Sequence, residues 1–413
     1  MNIVAGESRF GLNRTFAALR HPNYRLWFVG QMVSLFGTWM QTTAQGFLIF
    51  ELTRSPAYLG YVGFAAGVPA WLFMLLGGVV SDRMPRRTVL VVTQTSMMAL
   101  AFVLAGLTFA HMVRPWHILV LASLLGLANA FDAPARQSFV LEMIDRSDLT
   151  NAIALNATMF NTATAIGPAA AGLTYASFGP AWCFTLNGLS FTAVIAALLL
   201  MRLPPVPART RTASALADLR EALAYLASQP VIFVLIGLVG AMSLFGVSFV
   251  ALMPAWAVTI LHGDATTNGV LLSARGAGAL AGALFIASLG RFTFKGRLLT
   301  AGLFAFPALL FVFAFLRWLP LSLVMLAGIG AGAILVMNLC NALVQTLVPD
   351  ALRGRVMGVY TLTFFGMMPL GALWIGMVAQ YAGAPKAVGI AAIASLTVAG
   401  LVWLKVPAIR RLP

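Results

Sequence analysis

Thirteen consecutive residues, Gly78-Val79-Val80-Ser81-Asp82-Arg83-Met84-Pro85-Arg86-Arg87-Thr88-Val89-Leu90, set one carboxylate beside three guanidinium groups in a turn. A carboxylate there can be stabilised by a helix N-terminus, and the arginines can pair with acids or carbonyls. That chemistry makes and releases contacts; it breaks no covalent bond. Asp132 and Arg136 repeat the pairing one helical turn apart. Arg275, in Ser273-Ala274-Arg275-Gly276-Ala277-Gly278, lies deep in an apolar run with no acid at comparable depth in any other run. Its partners must be carbonyls, amide side chains, water or an anionic ligand. Gln31, Ser34, Thr38, Gln41 and Gln45 are spaced to share one stripe of a helix, and Asn338, Asn341 and Gln345 repeat the theme. Such stripes serve either a neutral polar wall of a substrate path or hydrogen bonds between helices. The four histidines form no H-E-x-x-H pair, no G-x4-G-K-[ST] loop exists, and Cys183 and Cys340 are far apart. No metal, cofactor, disulfide or nucleotide hydrolysis is expected.

The elements that position these residues follow from composition. Of 413 residues 61% are hydrophobic and 9% charged, with a mean hydropathy of +0.93. A water-soluble domain carries roughly a quarter charged residues, so lipid must cover most of this surface. Apolar runs of spanning length fall at 26–50, 58–80, 89–110, 116–135, 152–175 and 181–201, and again at 231–261, 266–289, 298–316, 319–347, 357–381 and 387–404. The expected architecture is all-α: twelve transmembrane helices, each read as one continuous span. They form an N-terminal half (1–201), a cytoplasmic linker (202–229) and a C-terminal half (230–413). The linker opens with Pro204, Pro205 and Pro207, and its Leu216, Leu219, Leu223 and Leu226 recur at helical spacing. A short amphipathic helix on the cytoplasmic face is expected there.

The net charge of +15 belongs to topology rather than to nucleic acid, because the basic residues sit in small groups between apolar runs. With both termini inside, 21 basic residues fall in inside segments, four (Arg54, Arg114, Arg317, Lys386) fall outside, and Arg275 lies within a span. No cleavable signal peptide is read in residues 1–25, which carry Arg9, Arg14, Arg20 and Arg25 without an apolar core. Arg outnumbers Lys 23 to 3, which points to a GC-rich bacterial genome and hence to a bacterial inner membrane.

The loop at 78–90 resembles the cytoplasmic signature of the major facilitator superfamily, G-x-L-A-D-R-x-G-R-R-x-x-L. Gly78, Asp82, Arg83, Arg86, Arg87 and Leu90 match, and Pro85 replaces the second glycine. The resemblance implies that Asp82 meets the N-terminus of the eleventh helix as a gate latch, a network that Asp132 and Arg136 would join. Gly167-Pro168-Ala169-Ala170-Ala171-Gly172 is similar to the antiporter signature of the superfamily's drug-efflux branches. Gly167, Pro168 and Gly172 match there, whereas Ala154, Ala163 and Ala171 stand where that signature has glycine. Phe36-Gly37-Thr38-Trp39-Met40-Gln41, Phe131-Asp132-Ala133-Pro134-Ala135-Arg136-Gln137 and Leu149-Thr150-Asn151-Ala152-Ile153-Ala154-Leu155-Asn156 look like the enterobactin-exporter-like branch.

What the resemblance implies is a monomeric secondary transporter in a lipid bilayer. It would export an amphipathic or anionic small molecule, siderophore- or drug-like, by proton-coupled alternating access. A lipid or lysolipid flippase of the same fold is the alternative, with an importer or a membrane-embedded enzyme behind it. The acids available for coupling are few: Glu51 and Asp264 sit at outer ends or loops, Asp82 in the latch and Asp132 near the cytoplasmic side.

Overall fold

The structure, a computed structural model, describes residues 16–203, 215–290 and 292–412. Pro204, Pro205, Pro207, Arg9 and Arg14 therefore lie outside the described residues, as does the side chain of Leu216. The fold is all-helical, with α1 (Pro22–Thr53), α2 (Pro56–Arg83), α3 (Arg86–Phe109), α4 (Pro115–Phe139), α5 (Leu149–Phe178) and α6 (Pro180–Leu200) preceding a connecting helix α7 (Ala215–Ser228). Beyond it come α8 (Pro230–Ala241), α9 (Ala265–Ser288), α10 (Lys295–Phe313), α11 (Leu319–Leu347), α12 (Asp350–Ala382) and α13 (Ala384–Lys405). Proline stands in the first turn of α1, α2, α4, α6 and α8. There its fixed φ helps the helix start and its missing N–H is no loss. Gly179 (φ 89°) and Gly383 (φ 87°) join α5 to α6 and α12 to α13, in corresponding places of the two sets of six. Side chains rarely adopt that backbone, which is why the turn takes glycine.

Ten helices among the described residues are long and apolar enough to cross a bilayer. The more polar α1 (32 residues) and α5 (30 residues) are also of spanning length and pack within the bundle. The seventh run differs from the single helix expected over 231–261. After α8 it passes through a π-type turn (Met242–Gly246), a 3-10 stretch (Ser248–Leu252), one α turn (Met253–Ala255) and a second π-type turn (Trp256–Ile260). Pro254, which cannot donate to the preceding turn, stands in the middle of this irregular stretch.

Within each set of six, helices meet as closely as backbone allows. A Cβ on Gly77 of α2 would lie 2.0 Å from the Ala130 carbonyl oxygen of α4, and one on Gly278 of α9 would lie 1.9 Å from that of Ala327 of α11. Without a water-driven hydrophobic term between spans, small residues that permit such approach carry the packing. The connecting helix α7 buries Ala222 and Leu226, leaves Leu223 half exposed and docks on α12. There Arg355 donates to Asp218 Oδ1 (2.7 Å) and Glu221 Oε1 (2.8 Å).

Candidate functional site

The two sets of six helices touch along two seams. In the first, α2 lies on α12. A Cβ on Gly60 would meet the Ala372 carbonyl oxygen at 2.7 Å, one on Gly67 would meet Pro369 at 2.2 Å, and Trp71 Nε1 donates to the Leu362 carbonyl (3.1 Å). Ser55 donates to Gln380 Oε1 (2.6 Å) at the end of that seam. Beyond Trp71, Gly78 on α2 and Gly354 and Gly358 on α12 have no atom within 4 Å of a Cβ position.

The second seam joins α5 to α9 and is built by the Gly167-Pro168-Gly172 segment. A Cβ on Gly172 would lie 2.7 Å from the Ala265 carbonyl oxygen, one on Gly269 2.4 Å from that of Pro168, and one on Gly276 2.4 Å from that of Thr164. Pro168 has no N–H for the Thr164 carbonyl one turn back. That carbonyl faces the Gly276 backbone, where a weak Cα–H contact is available. Ala169 N–H turns to Ser273 Oγ (2.9 Å). Gly167 instead lets α5 approach α1, since its Cβ would sit 2.7 Å from that of Trp39. The close approaches of both seams thus lie in the half of the molecule that bears Pro56 and Ala265.

Arg275 is placed where the second seam ends. Its neighbour Gly276 makes the innermost of the α5–α9 approaches described above, and its own carbonyl oxygen lies 2.0 Å from a Cβ position on Gly330 of α11. The side chain is partly exposed, its Nε is buried without a partner, and no hydrogen bond or ion pair reaches it among the described residues. A guanidinium held this way in a membrane bundle is costly until something anionic or carbonyl-rich meets it.

The polar stripes divide. Gln31, Ser34, Gln41 and Gln45 are buried, and Gln41 accepts from Asn187 Nδ2 of α6 (2.7 Å). Thr38 is half-buried and returns its hydroxyl to the Ser34 carbonyl (2.9 Å). On α11, Asn338 and Gln345 are exposed, Asn341 is half-buried, and Gln345 donates to Asn341 Oδ1 (2.5 Å). Asn187 was not visible as a partner in the sequence, although its place in an apolar run marked it as a residue requiring one.

Around the 78–90 turn, Arg86 donates to Glu142 Oε1 (2.6 Å) and Arg87 to the Leu199 carbonyl (2.8 Å), while Arg83 is exposed. Asp132, 1% exposed, accepts from Thr93 Oγ1 (3.0 Å) and Gln94 Nε2 (2.8 Å) and sits 3.4 Å from Arg136 Nε. These bonds knit α3 to α4. Asp82 is half-buried and engaged. Glu142, Thr93 and Gln94 are additions to the residues singled out from sequence. A second cluster joins the N-terminal turn to the start of α5: Asp148 meets His21 Nε2 and Arg20 Nη2, each at 2.8 Å. The His21 hydrogen bond holds the Asp148 carboxyl below its ordinary range against the opposing effect of burial, and the Arg20 charge adds a smaller pull in the same downward sense. At the opposite end Asp264 caps α9, and the Thr267 N–H (3.0 Å) lowers its carboxyl in the same sense. Glu51 accepts a short hydrogen bond from Tyr175.

The profile of a family described as transmembrane secretion effector matches residues 13–411. The chain is 27% identical to the multidrug efflux pump Tap of Mycolicibacterium fortuitum (91% of this chain, 93% of that protein). It is 26% identical to the enterobactin exporter EntS of Citrobacter koseri (86% and 85%) and 22% to the staphyloferrin A transporter of Staphylococcus aureus (91% and 94%). Among solved structures, a D-xylose–proton symporter superposes with a TM-score of 0.73 at 13% identity (93% and 98% of the two chains). An inward-facing bacterial homologue of the lysosomal transporter Spinster superposes with 0.70 at 14% (98% of both).

Proposed function

The chain belongs to the transmembrane secretion effector family of the major facilitator superfamily, a family of multi-pass membrane transporters rather than enzymes, and we propose that it exports an amphipathic or anionic small molecule by proton-coupled alternating access. The observation that carries this reading is Arg275: an unpaired guanidinium in the membrane bundle, where the α5–α9 seam ends. Its planar fork of donors suits a carboxylate or phosphate group. Asn338, Asn341 and Gln345 on α11 and Thr38 on α1 supply neutral polar groups to the path. Gln31, Ser34, Gln41 and Gln45 then serve interhelical packing in this state. Relatives that carry siderophores and drugs support the substrate class.

In this reading α1 and α5 also cross the bilayer, which makes twelve spans of the bacterial inner membrane with both termini in the cytoplasm. The positive-inside count supports that orientation, and the close approaches of both seams then lie on the outer side. Residues 1–201 and 230–413 rock as two halves about the two seams, and the Asp82 turn engages the start of α12 when the cytoplasmic side closes.

Arg275→Gln lowers binding of anionic substrates by at least about tenfold, or about 1.4 kcal/mol, and leaves neutral ones nearly unchanged, with Arg275→Lys in between. Binding to purified, monodisperse variants measures this, and a uniform loss for all ligands defeats the substrate role. Coupling is read in everted vesicles with and without a pH gradient. A double variant Asp132→Asn with Glu51→Gln loses gradient-dependent flux; full pH dependence in that variant removes these acids from proton carriage.

A further inference from the structure

At the cytoplasmic end of the second set of helices Arg353 and Arg355 pair with Asp350, Asp218 and Glu221, and a separate group of cations has no such acid among the described residues. Between residues 230 and 413 the only Asp or Glu side chains are Asp264, which caps α9 at the opposite end, and Asp350, which pairs with Arg353 at 2.5 Å. Arg297, Arg410 and Arg411 line one open depression at the surface, together with Thr293, Phe294 and Pro407. None of the three arginines forms an ion pair among the described residues. Arginines that only mark topology would spread freely into water, but these are brought together by a docked element. The turn Pro407–Arg411 is seated on the start of α10. Gly296 N–H donates to the Leu412 carbonyl (3.1 Å), Ile409 is buried, and a Cβ on Gly296 would lie 2.0 Å from the Ile409 carbonyl oxygen. Three like charges are thus held around one space that a polyanionic group would neutralise, with donor forks shaped for phosphate.

The depression does not end in water alone. Arg410 also borders a shallow apolar groove between α10 and α13, lined by Leu303, Ala399, Val402, Trp403 and Val406. The Arg410 guanidinium lies over the Trp403 ring at 4.6 Å. Trp403 (42% exposed), Leu404 (67%) and Phe294 (42%) present apolar surface beside it, the placement of aromatic residues at a membrane interface. A basic pocket that runs into an apolar groove matches a molecule with a phosphate head and an acyl tail. We propose that this site binds an anionic glycerophospholipid of the inner leaflet, headgroup phosphate among Arg297, Arg410 and Arg411 and chain along the α10–α13 groove. The proposal rests on the membrane location and not on the transported substrate.

Native mass spectrometry of the purified full chain in neutral detergent tests it, with phosphatidylglycerol and phosphatidylcholine of equal chain length as probes. Wild type retains phosphatidylglycerol in preference to phosphatidylcholine. R297Q/R410Q/R411Q weakens phosphatidylglycerol binding by at least about tenfold with phosphatidylcholine unchanged, and R297K/R410K/R411K is intermediate. The variant K295Q/K405Q, which removes two cations at the same end that do not line the depression, binds as wild type. Equal loss in both glutamine variants means diffuse charge and overturns the site. Displacement of the lipid by excess inorganic phosphate makes it a free-anion site and overturns the lipid assignment. Loss of the folded, monodisperse state in the triple glutamine variant moves the decision to the lysine variant, where unchanged affinity for phosphatidylglycerol overturns the role of the guanidinium fork.

Discussion

At the end bearing Pro56 and Ala265 the two sets of helices meet through glycines, carbonyls and a few neutral side chains. At the end bearing Arg83 and Asp350 the prominent contacts are ion pairs, Arg86 with Glu142, Asp132 with Arg136 and Arg355 with Asp218 and Glu221. The neutral seams depend on shape. A glycine backbone against a carbonyl has no substitute partner, and its closeness is lost at once when anything is added. At the charged end the half-exposed pairs of Arg355 can be exchanged for water at modest cost, because such pairs near water are individually weak. Asp132 is buried and Arg86 mostly so, and their partners must be replaced when the contact breaks. The difference teaches which end is fitted to close by packing and which is fitted to trade contacts.

The largest expected effect comes from breaking the neutral seam. Gly276→Leu drives carbon into the Thr164 carbonyl, and overpacking costs about 1–3 kcal/mol, enough to shift a two-state equilibrium by about 5- to 150-fold. Transport falls by about that factor, and an impermeant thiol reagent gains access from the outside to a single cysteine placed at Thr266. Unchanged labelling would show that the seam does not set the conformation. At the charged end Asp82→Asn keeps size but removes charge. Transport is expected to fall by about tenfold, equivalent to about 1.4 kcal/mol on the limiting step, with abundance unchanged; normal transport at normal abundance contradicts a latch.

The smallest effect concerns pH. Because the folded-state carboxyl of Asp148 is depressed, its stabilising contribution is full above the ordinary carboxylate pKa of about 4 and is lost as the pH falls through the lower folded value. Wild type therefore melts above Asp148→Asn at pH 7, and the gap narrows below about pH 4. A gap that widens in acid would reverse the assignment of the His21–Asp148 contact.

Much of this architecture was legible because a lipid solvent leaves a plain record: apolar runs and arginines clustered between them. The turn at 78–90 could be read only to the kind of partner its arginines take, an acid for Arg86 and a carbonyl for Arg87, with Arg83 left exposed. Identity of the partners was less accessible. A stripe at helical spacing says that Gln31, Ser34 and Gln41 share a face, but not whether α6 or a substrate covers it, and for Gln41 the cover is Asn187. The same limit applied to the seventh run, where hydrophobicity was continuous and Pro254 was the only local sign of broken winding. Glu142 was visible as an acid, yet only folding could bring it 56 residues back to Arg86.

That broken winding gives the seventh span the mechanics of a screw with mixed pitch. A 3-10 residue rises about 2.0 Å and turns about 120°, an α residue about 1.5 Å and 100°. Rewinding the five residues Ser248–Leu252 to α pitch would retract the far end by about 2.5 Å and rotate it by about 100°. Trp256, now fully buried and stacked on Phe313 at 4.5 Å, would be carried off that ring. A change in torsion that leaves α9 in place would thus be reported by tryptophan emission once the other eight of the nine tryptophans are replaced.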